Sequence, residues 1–174
     1  MNEWLHAMDG QGRTPLDRAF DSAHMAIPEM MLRQERADHS ESLKGSTPLH
    51  RAASLGLTEA VRTLLRLGAD AMGRDYQGET PLHKAIRQGH RETAAALLDH
   101  SDVNAMSNEG MTPLHWAAYH GHIDALKLLL EQGAQVGVAD DDGDAPLHWA
   151  AKQGKTDAAQ LLIERGADVN ERSL

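Results

Sequence analysis

The sequence predicts an all-α solenoid, a single domain over residues 1–174 built from stacked antiparallel helix pairs. Three observations predict it. The segment Thr47-Pro48-Leu49-His50 recurs as Thr80-Pro81-Leu82-His83 and Thr112-Pro113-Leu114-His115, and imperfectly as Ala145-Pro146-Leu147-His148 and Thr14-Pro15-Leu16-Asp17, with starts 33, 33, 32 and 33 residues apart. A glycine stands two residues before each segment (Gly12, Gly45, Gly78, Gly110, Gly143), and a second one follows at Gly56, Gly89, Gly121 and Gly154. Between these marks the apolar residues keep a helical period. A fixed period of this length is the signature of a repeat architecture.

Each element follows from its residues. Thr47 is a good N-cap, because its hydroxyl can accept from a backbone N–H of the first turn. Pro48 falls at the first helical position, where a missing N–H is harmless. Leu49, Ala52 and Ala53 give the short first helix one apolar face, and Gly56 ends it. The second helix carries a wider stripe, with Ile123, Leu126, Leu129 and Leu130 on one face, and Gly133 ends it. A pair this small cannot bury its face alone, so it must stack on its neighbours into one core. At about 8–10 Å per packed helix layer, five units make a rod about 40–50 Å long.

These units resemble ankyrin repeats, whose pattern is Gly-x-Thr-Pro-Leu-His, a short helix, Gly-His, a longer helix and Gly-Ala-Asp-Val-Asn. Gly110 to Ala134 follows it closely, and Gly166-Ala167-Asp168-Val169-Asn170 supplies its ending. The resemblance covers nearly the whole chain and implies β-hairpin-like loops between units. It places repeats at 9–41 (degenerate), 42–74, 75–106, 107–139 and 140–174, with 1–8 as the tail of an upstream hairpin. In the first unit Asp17 replaces the histidine, Ala23 the inter-helix glycine, and Pro28 falls inside the expected second helix, which therefore starts near Pro28. The third unit is one residue short and has no glycine after Leu98-Asp99, so His100 or Ser101 must take that turn. Leu5-His6-Ala7 matches the phase of Val103-Asn104-Ala105, and the chain stops just past Val169-Asn170. The expectation is a segment of a longer array, the alternative being a small complete protein.

Composition narrows the function. The chain is 41% hydrophobic and 25% charged, within the range of folded proteins. A net charge of −9 opposes nucleic-acid binding, which needs lysine and arginine to neutralise phosphates. No apolar run is long enough to insert in a membrane. The amino terminus lacks the basic and apolar regions of a secretory leader. With no cysteine the chain has neither disulfides nor thiolate sites, and a cytoplasmic or nuclear location is expected.

The candidates for chemistry have structural readings. His50, His83, His115 and His148 hold one position in successive units, the third residue of a helix, from which the ring reaches back to the capping hydroxyl. They stand one repeat apart, too far to share an ion at ligand distances of roughly 2.0–2.1 Å. His90 and His122, after the inter-helix glycines, are framework too. Asp140-Asp141-Asp142-Gly143-Asp144 resembles half of a calcium loop but lacks its closing glutamate, position 151 being alanine. No phosphate-binding loop, nucleophile motif or metalloprotease motif is present. No cofactor, metal or catalytic residue is expected, and the chain reads as a binding protein rather than an enzyme, the alternative being the recognition part of an enzyme whose catalytic domain lies elsewhere. In the resembled family, asparagines in the Asp-Val-Asn context, here Asn104 and Asn170, are targets of an asparagine hydroxylase; a plain turn asparagine is the simpler reading.

Partner binding is left. The resemblance implies a groove formed by the hairpins and the first helices, and positions that vary between units carry specificity. The expected groove residues are Arg51, Leu55, Tyr76, Glu79, Lys84, Arg87, Met111, Trp116, Tyr119, His120, Asp141, Asp142, Asp144, Trp149 and Lys152. The groove is then basic at one end (with Arg18), aromatic in the middle and acidic at the other. The two tryptophans either anchor a partner or pack under the next hairpin. The expected partner is another protein, a peptide segment or a domain surface, bound by a monomer. It should place an acidic stretch near Arg51, Lys84 and Arg87, an apolar anchor at Met111, Trp116 and Tyr119, and a basic residue near Asp141, Asp142 and Asp144.

Overall fold

The computed structural model describes residues 45–170 and residue 173. The expectations for the tail 1–8 and the first unit, including Asp17, Arg18, Ala23 and Pro28, fall outside the described residues.

Among the described residues there are eight helices and no strand. They are α1 (Pro48–Ser54), α2 (Thr58–Arg66), α3 (Pro81–Arg87), α4 (Arg91–Leu98), α5 (Pro113–His120), α6 (Ile123–Glu131), α7 (Pro146–Lys152) and α8 (Thr156–Glu164). First helices pack on first helices in the order α1, α3, α5, α7, and second helices likewise in the order α2, α4, α6, α8. Each pair also packs internally, so the elements form two parallel layers around one core.

The proline-led segments start the first helices as expected, with Thr47, Thr80 and Thr112 as extended N-caps. Leu49, Leu82 and Leu114 are fully buried, and the alanines at 52, 53, 85, 117, 118 and 150 let the first helices approach closely. Val61, Leu64, Leu97, Leu126, Leu129 and Leu162 supply the other half of the core. In α6 the buried stripe also takes in Leu128, while Ile123 and Leu130 pack half-buried at its edges.

The loops expected to resemble β-hairpins are tight turns. Asp75 N–H donates to the Glu79 carbonyl at 3.0 Å, Ser107 to Met111 at 2.8 Å and Asp140 to Asp144 at 3.0 Å. One such bond per turn is too little for a ladder, so no strand forms. Adjacent turns are joined by Asn108 N–H to the Gln77 carbonyl (2.9 Å) and Asp141 N–H to Glu109 (3.1 Å). Gly78 shows why glycine is needed there: its φ is +70°, and an added Cβ would lie 2.3 Å from the Asn108 side-chain oxygen.

The third unit absorbs its missing residue within its second helix. α4 has eight residues where α2, α6 and α8 have nine. It closes through His100 N–H to the Leu97 carbonyl (2.9 Å) and Ser101 N–H to Leu98 (3.3 Å). The other second helices instead end on Gly68, Gly133 and Gly166, all at positive φ.

Candidate functional site

The site rests on the stitching that fixes each turn to the first helix behind it. In every described unit the framework histidine turns Nδ1 toward the N-cap. His83 Nδ1 lies 3.1 Å from Thr80 N and 2.9 Å from its hydroxyl, and His50 and His115 repeat the pattern. The far nitrogen reaches the next unit: Nε2 of His50, His83 and His115 lies 2.9, 3.1 and 3.0 Å from the carbonyls of Glu79, Met111 and Asp144. A carbonyl only accepts, so Nε2 carries the proton, and Nδ1, which faces a backbone N–H, is bare. Burial pushes all three rings below the usual histidine range, His83 to about 4. At His148 the capping hydroxyl is missing, and Ala145 N–H donates to Nδ1 at 3.0 Å.

Each turn is also held by its first side chain. Asp75 Oδ1 accepts from the N–H groups of Gln77 and Glu79, and Asp140 Oδ1 from those of Asp142 and Asp144. The second carboxylate oxygen then serves the residue nine positions on. Lys84 Nζ lies 2.7 Å from Asp75 Oδ2, and Trp149 Nε1 donates to Asp140 Oδ2 at 2.7 Å. Burial raises the Asp75 carboxyl, but hydrogen bonds from Lys84 and the turn amides outweigh it and leave it below the ordinary range. In the middle turn the equivalent residue is Ser107, whose single Oγ is taken by Glu109 and Met111 N–H at 3.2 Å each. Trp116, nine residues on, has a buried Nε1 with no hydrogen-bond partner among the described residues. The acidic run 140–144 is thus turn chemistry, and no group of residues suited to a metal ion occurs among the described residues.

Three expected contact residues are corrected by this geometry. Glu79, Met111 and Asp144 are 2, 4 and 2% exposed, because their position closes each turn against the first helix. Their side chains face inward: Glu79 pairs with Lys84 and, at 3.5 Å, with Arg87, and Asp144 pairs with Lys152. The hydrogen bond to Asp144 raises the Lys152 pKa. The basic-to-acidic gradient is weaker than expected for the same reason, since Lys84 and Lys152 are each held by carboxylates of their own unit.

The remaining expected residues divide into two sets. Tyr76, Asp141 and Asp142 are exposed at the turns, Leu55 is exposed just after α1, and Arg51 is half-buried on α1. The others, apart from Lys84, which is held by Asp75 and Glu79, form a continuous row across α3, α5 and α7. The Arg87 guanidinium lies 4.6 Å above the Trp116 ring. Tyr119 meets Trp116 edge-on at 5.8 Å and Trp149 at 5.6 Å, and the Lys152 ammonium lies 5.1 Å over Trp149. His120 stacks on Trp116 at 6.0 Å and on His122 at 5.4 Å. Both tryptophans are half-buried, so neither of the two readings of them is complete: each packs on its neighbours and keeps part of its surface exposed. Burial lowers the His120 pKa first, and His122, Arg87 and Lys155 lower it further.

The stack of His120 on His122 and the pairs nine residues apart were missed by sequence reasoning. The second had a signal: Asp75–Lys84, Ser107–Trp116 and Asp140–Trp149 align in the repeat register. Asn104 is also engaged, its side-chain oxygen accepting from Gln135 N–H of the next unit at 2.8 Å.

The family model described as ankyrin repeats (3 copies) matches residues 22–107 and 100–173. No curated protein matches the chain.

Proposed function

The chain belongs to the ankyrin-repeat family, whose repeats are protein-interaction modules, and on that premise we propose that it is a monomeric, non-catalytic recognition protein that binds a partner protein across α3, α5 and α7. The row Arg87–Trp116–Tyr119–Trp149–Lys152 carries this reading. Tryptophan, tyrosine and arginine dominate interface hot spots, because they cover large area while losing little conformational freedom. Here they are pre-ordered by stacking on one another, which lowers the entropy lost on binding. The partner lays an apolar or aromatic anchor against Tyr119 and the exposed parts of Trp116 and Trp149, and a basic residue near the exposed Asp141 and Asp142. No helix among the described residues is long and apolar enough to cross a membrane.

The test is affinity capture by the intact chain, its Tyr119→Ala variant and an outer-helix control, Lys127→Glu, read by quantitative mass spectrometry. Tyr119→Ala should lose about 2 kcal/mol or more of binding, close to thirtyfold, mostly as faster dissociation. A partner held equally by the wild-type and Tyr119→Ala chains, and lost with Lys127→Glu, would move the site to the outer helices.

A further inference from the structure

We propose that the partner segment presents a carboxylate, from an aspartate or glutamate side chain, to the Trp116 indole N–H, filling the role that Asp75 and Asp140 fill inside the neighbouring repeats; this rests on the α3–α5–α7 reading of the binding face.

The repeats themselves supply the comparison. Three turns are described in full, and in two of them an aspartate caps the turn with one oxygen and holds the residue nine positions on with the other. The Trp149 N–H is satisfied in this way at 2.7 Å. Ser107 can cap its turn equally well but has no second oxygen, so the same indole nitrogen one repeat earlier has no acceptor. A buried donor without an acceptor forfeits a hydrogen bond that the unfolded chain makes to water, and such a group gains more than an ordinary one when a partner completes it.

The surroundings choose the chemistry of that partner group. Arg87 lies 4.6 Å over the same ring, and its link to Glu79 is long, 3.5 Å, with about a third of the side chain exposed. His120, stacked on Trp116, also has a buried Nε2 without a partner among the described residues. Beyond burial, the groups that lower the His120 pKa are His122, Arg87 and Lys155, all basic. A neutral carbonyl would satisfy the indole, but only an anion also answers this local positive field, in a chain whose net charge is −9. Arg87, over the ring and about a third exposed, is the cation placed to pair with the incoming carboxylate.

Two variants separate this inference from the reading beneath it. Ser107→Asp copies the residue found at 75 and 140, so the fold accommodates it, and it gives Trp116 an internal acceptor. Trp116→Phe keeps the ring and removes the N–H. Random peptides of about twelve residues, displayed on phage, are selected on the intact chain, and those whose binding Tyr119→Ala abolishes are retained. The retained peptides should share an acidic residue beside a large apolar one. Changing that acid to its amide should weaken binding about tenfold on the wild-type chain and less than about twofold on Trp116→Phe, and Ser107→Asp should weaken the acidic peptide about tenfold. In the free Ser107→Asp protein the Trp116 indole N–H resonance should move toward that of Trp149. Retained peptides without an acid, an acid equally important on both chains, or an unmoved indole resonance would overturn the inference and leave the binding face standing. Failure to select any Tyr119-dependent peptide would overturn both.

Discussion

His83 makes the array acid-labile between about pH 6.5 and 4. Its ring is fully buried, with Nδ1 accepting from Thr80 N–H and Nε2 donating to the Met111 carbonyl of the next repeat. A proton can only be added at Nδ1, where it would meet the N–H that now donates to it. The folded pKa is therefore depressed, from 6.5 to about 4, so between those values the unfolded chain binds the extra proton and the folded chain does not. Stability is full above about pH 6.5 and falls as the pH drops toward 4. Each unit of separation is worth about 1.4 kcal/mol, so His83 alone accounts for a loss on the order of 3 kcal/mol, a large part of the 5–15 kcal/mol typical of a folded domain. His50 and His115 are shifted the same way. Asp75, by contrast, is held below 3.8; its contribution is present above that value and is lost only at more acid pH. Urea midpoints for wild-type chain and His83→Gln, measured from pH 7.5 to 4.5, test this. The variant starts less stable but should lose markedly less between 6.5 and 4.5. Parallel losses in the two proteins would refute the assignment of the proton-free Nδ1.

Ala145→Thr restores the hydroxyl that Thr80 and Thr112 turn toward their histidines, at sites as buried as position 145; it should raise the denaturant midpoint by the equivalent of about 0.5–2 kcal/mol. Gly78→Ala and Gly133→Ala both force alanine into positive φ, at about 1–2 kcal/mol, but only the first also collides with Asn108, whereas nothing lies within 4 Å at Gly133. Thermal melts should rank Gly78→Ala well below Gly133→Ala. Asp140→Ser copies the middle turn onto the last described one and removes the acceptor of the Trp149 N–H; it should destabilise by about 1–3 kcal/mol and shift the Trp149 indole resonance, with both effects absent if the indole bond is not formed in solution.

The architecture was legible because the same few residues state it repeatedly. Thr-Pro-Leu-His marks the N-cap and first turn of α1, α3 and α5, and Pro146 with His148 marks α7, where Ala145 offers no capping hydroxyl. The placement of the histidines was legible from their position three residues into each helix, but not the reach of Nε2 into the next repeat, because a sequence carries no distance between units. Residues 79, 111 and 144 misled. They vary between glutamate, methionine and aspartate, and variation within a framework looks like surface. Their variation instead follows the inward pairs they make: the two acids each hold a lysine of the following helix, and methionine stands where no lysine follows. The single-residue shortening of the third unit was visible in the spacing, yet whether the helix or the turn would give way depends on which backbone bonds close, and α4 gave way.

The variable positions of this array are best understood as coupled pairs. Position one of a turn holds the residue nine on as Asp75 with Lys84 and Asp140 with Trp149, but not as Ser107 with Trp116; position five of the turn pairs as Glu79 with Lys84 and Asp144 with Lys152. In two of the three turns described in full, acids at both positions bind a cation or an indole, so their charge is spent on the fold and little of it reaches a ligand. The middle turn has Ser107 and Met111 in those places and no acid at either, and above it the aromatic row is densest, with Trp116, Tyr119 and His120 on one helix. Because units in such a solenoid touch only their neighbours, a repeat can give up internal pairing without unravelling the rest, the adjoining units holding it through His83 and His115. The proposed contact therefore centres on α5, where the framework leaves polar atoms of Trp116 and His120 without partners among the described residues, rather than on the more highly charged turns to either side.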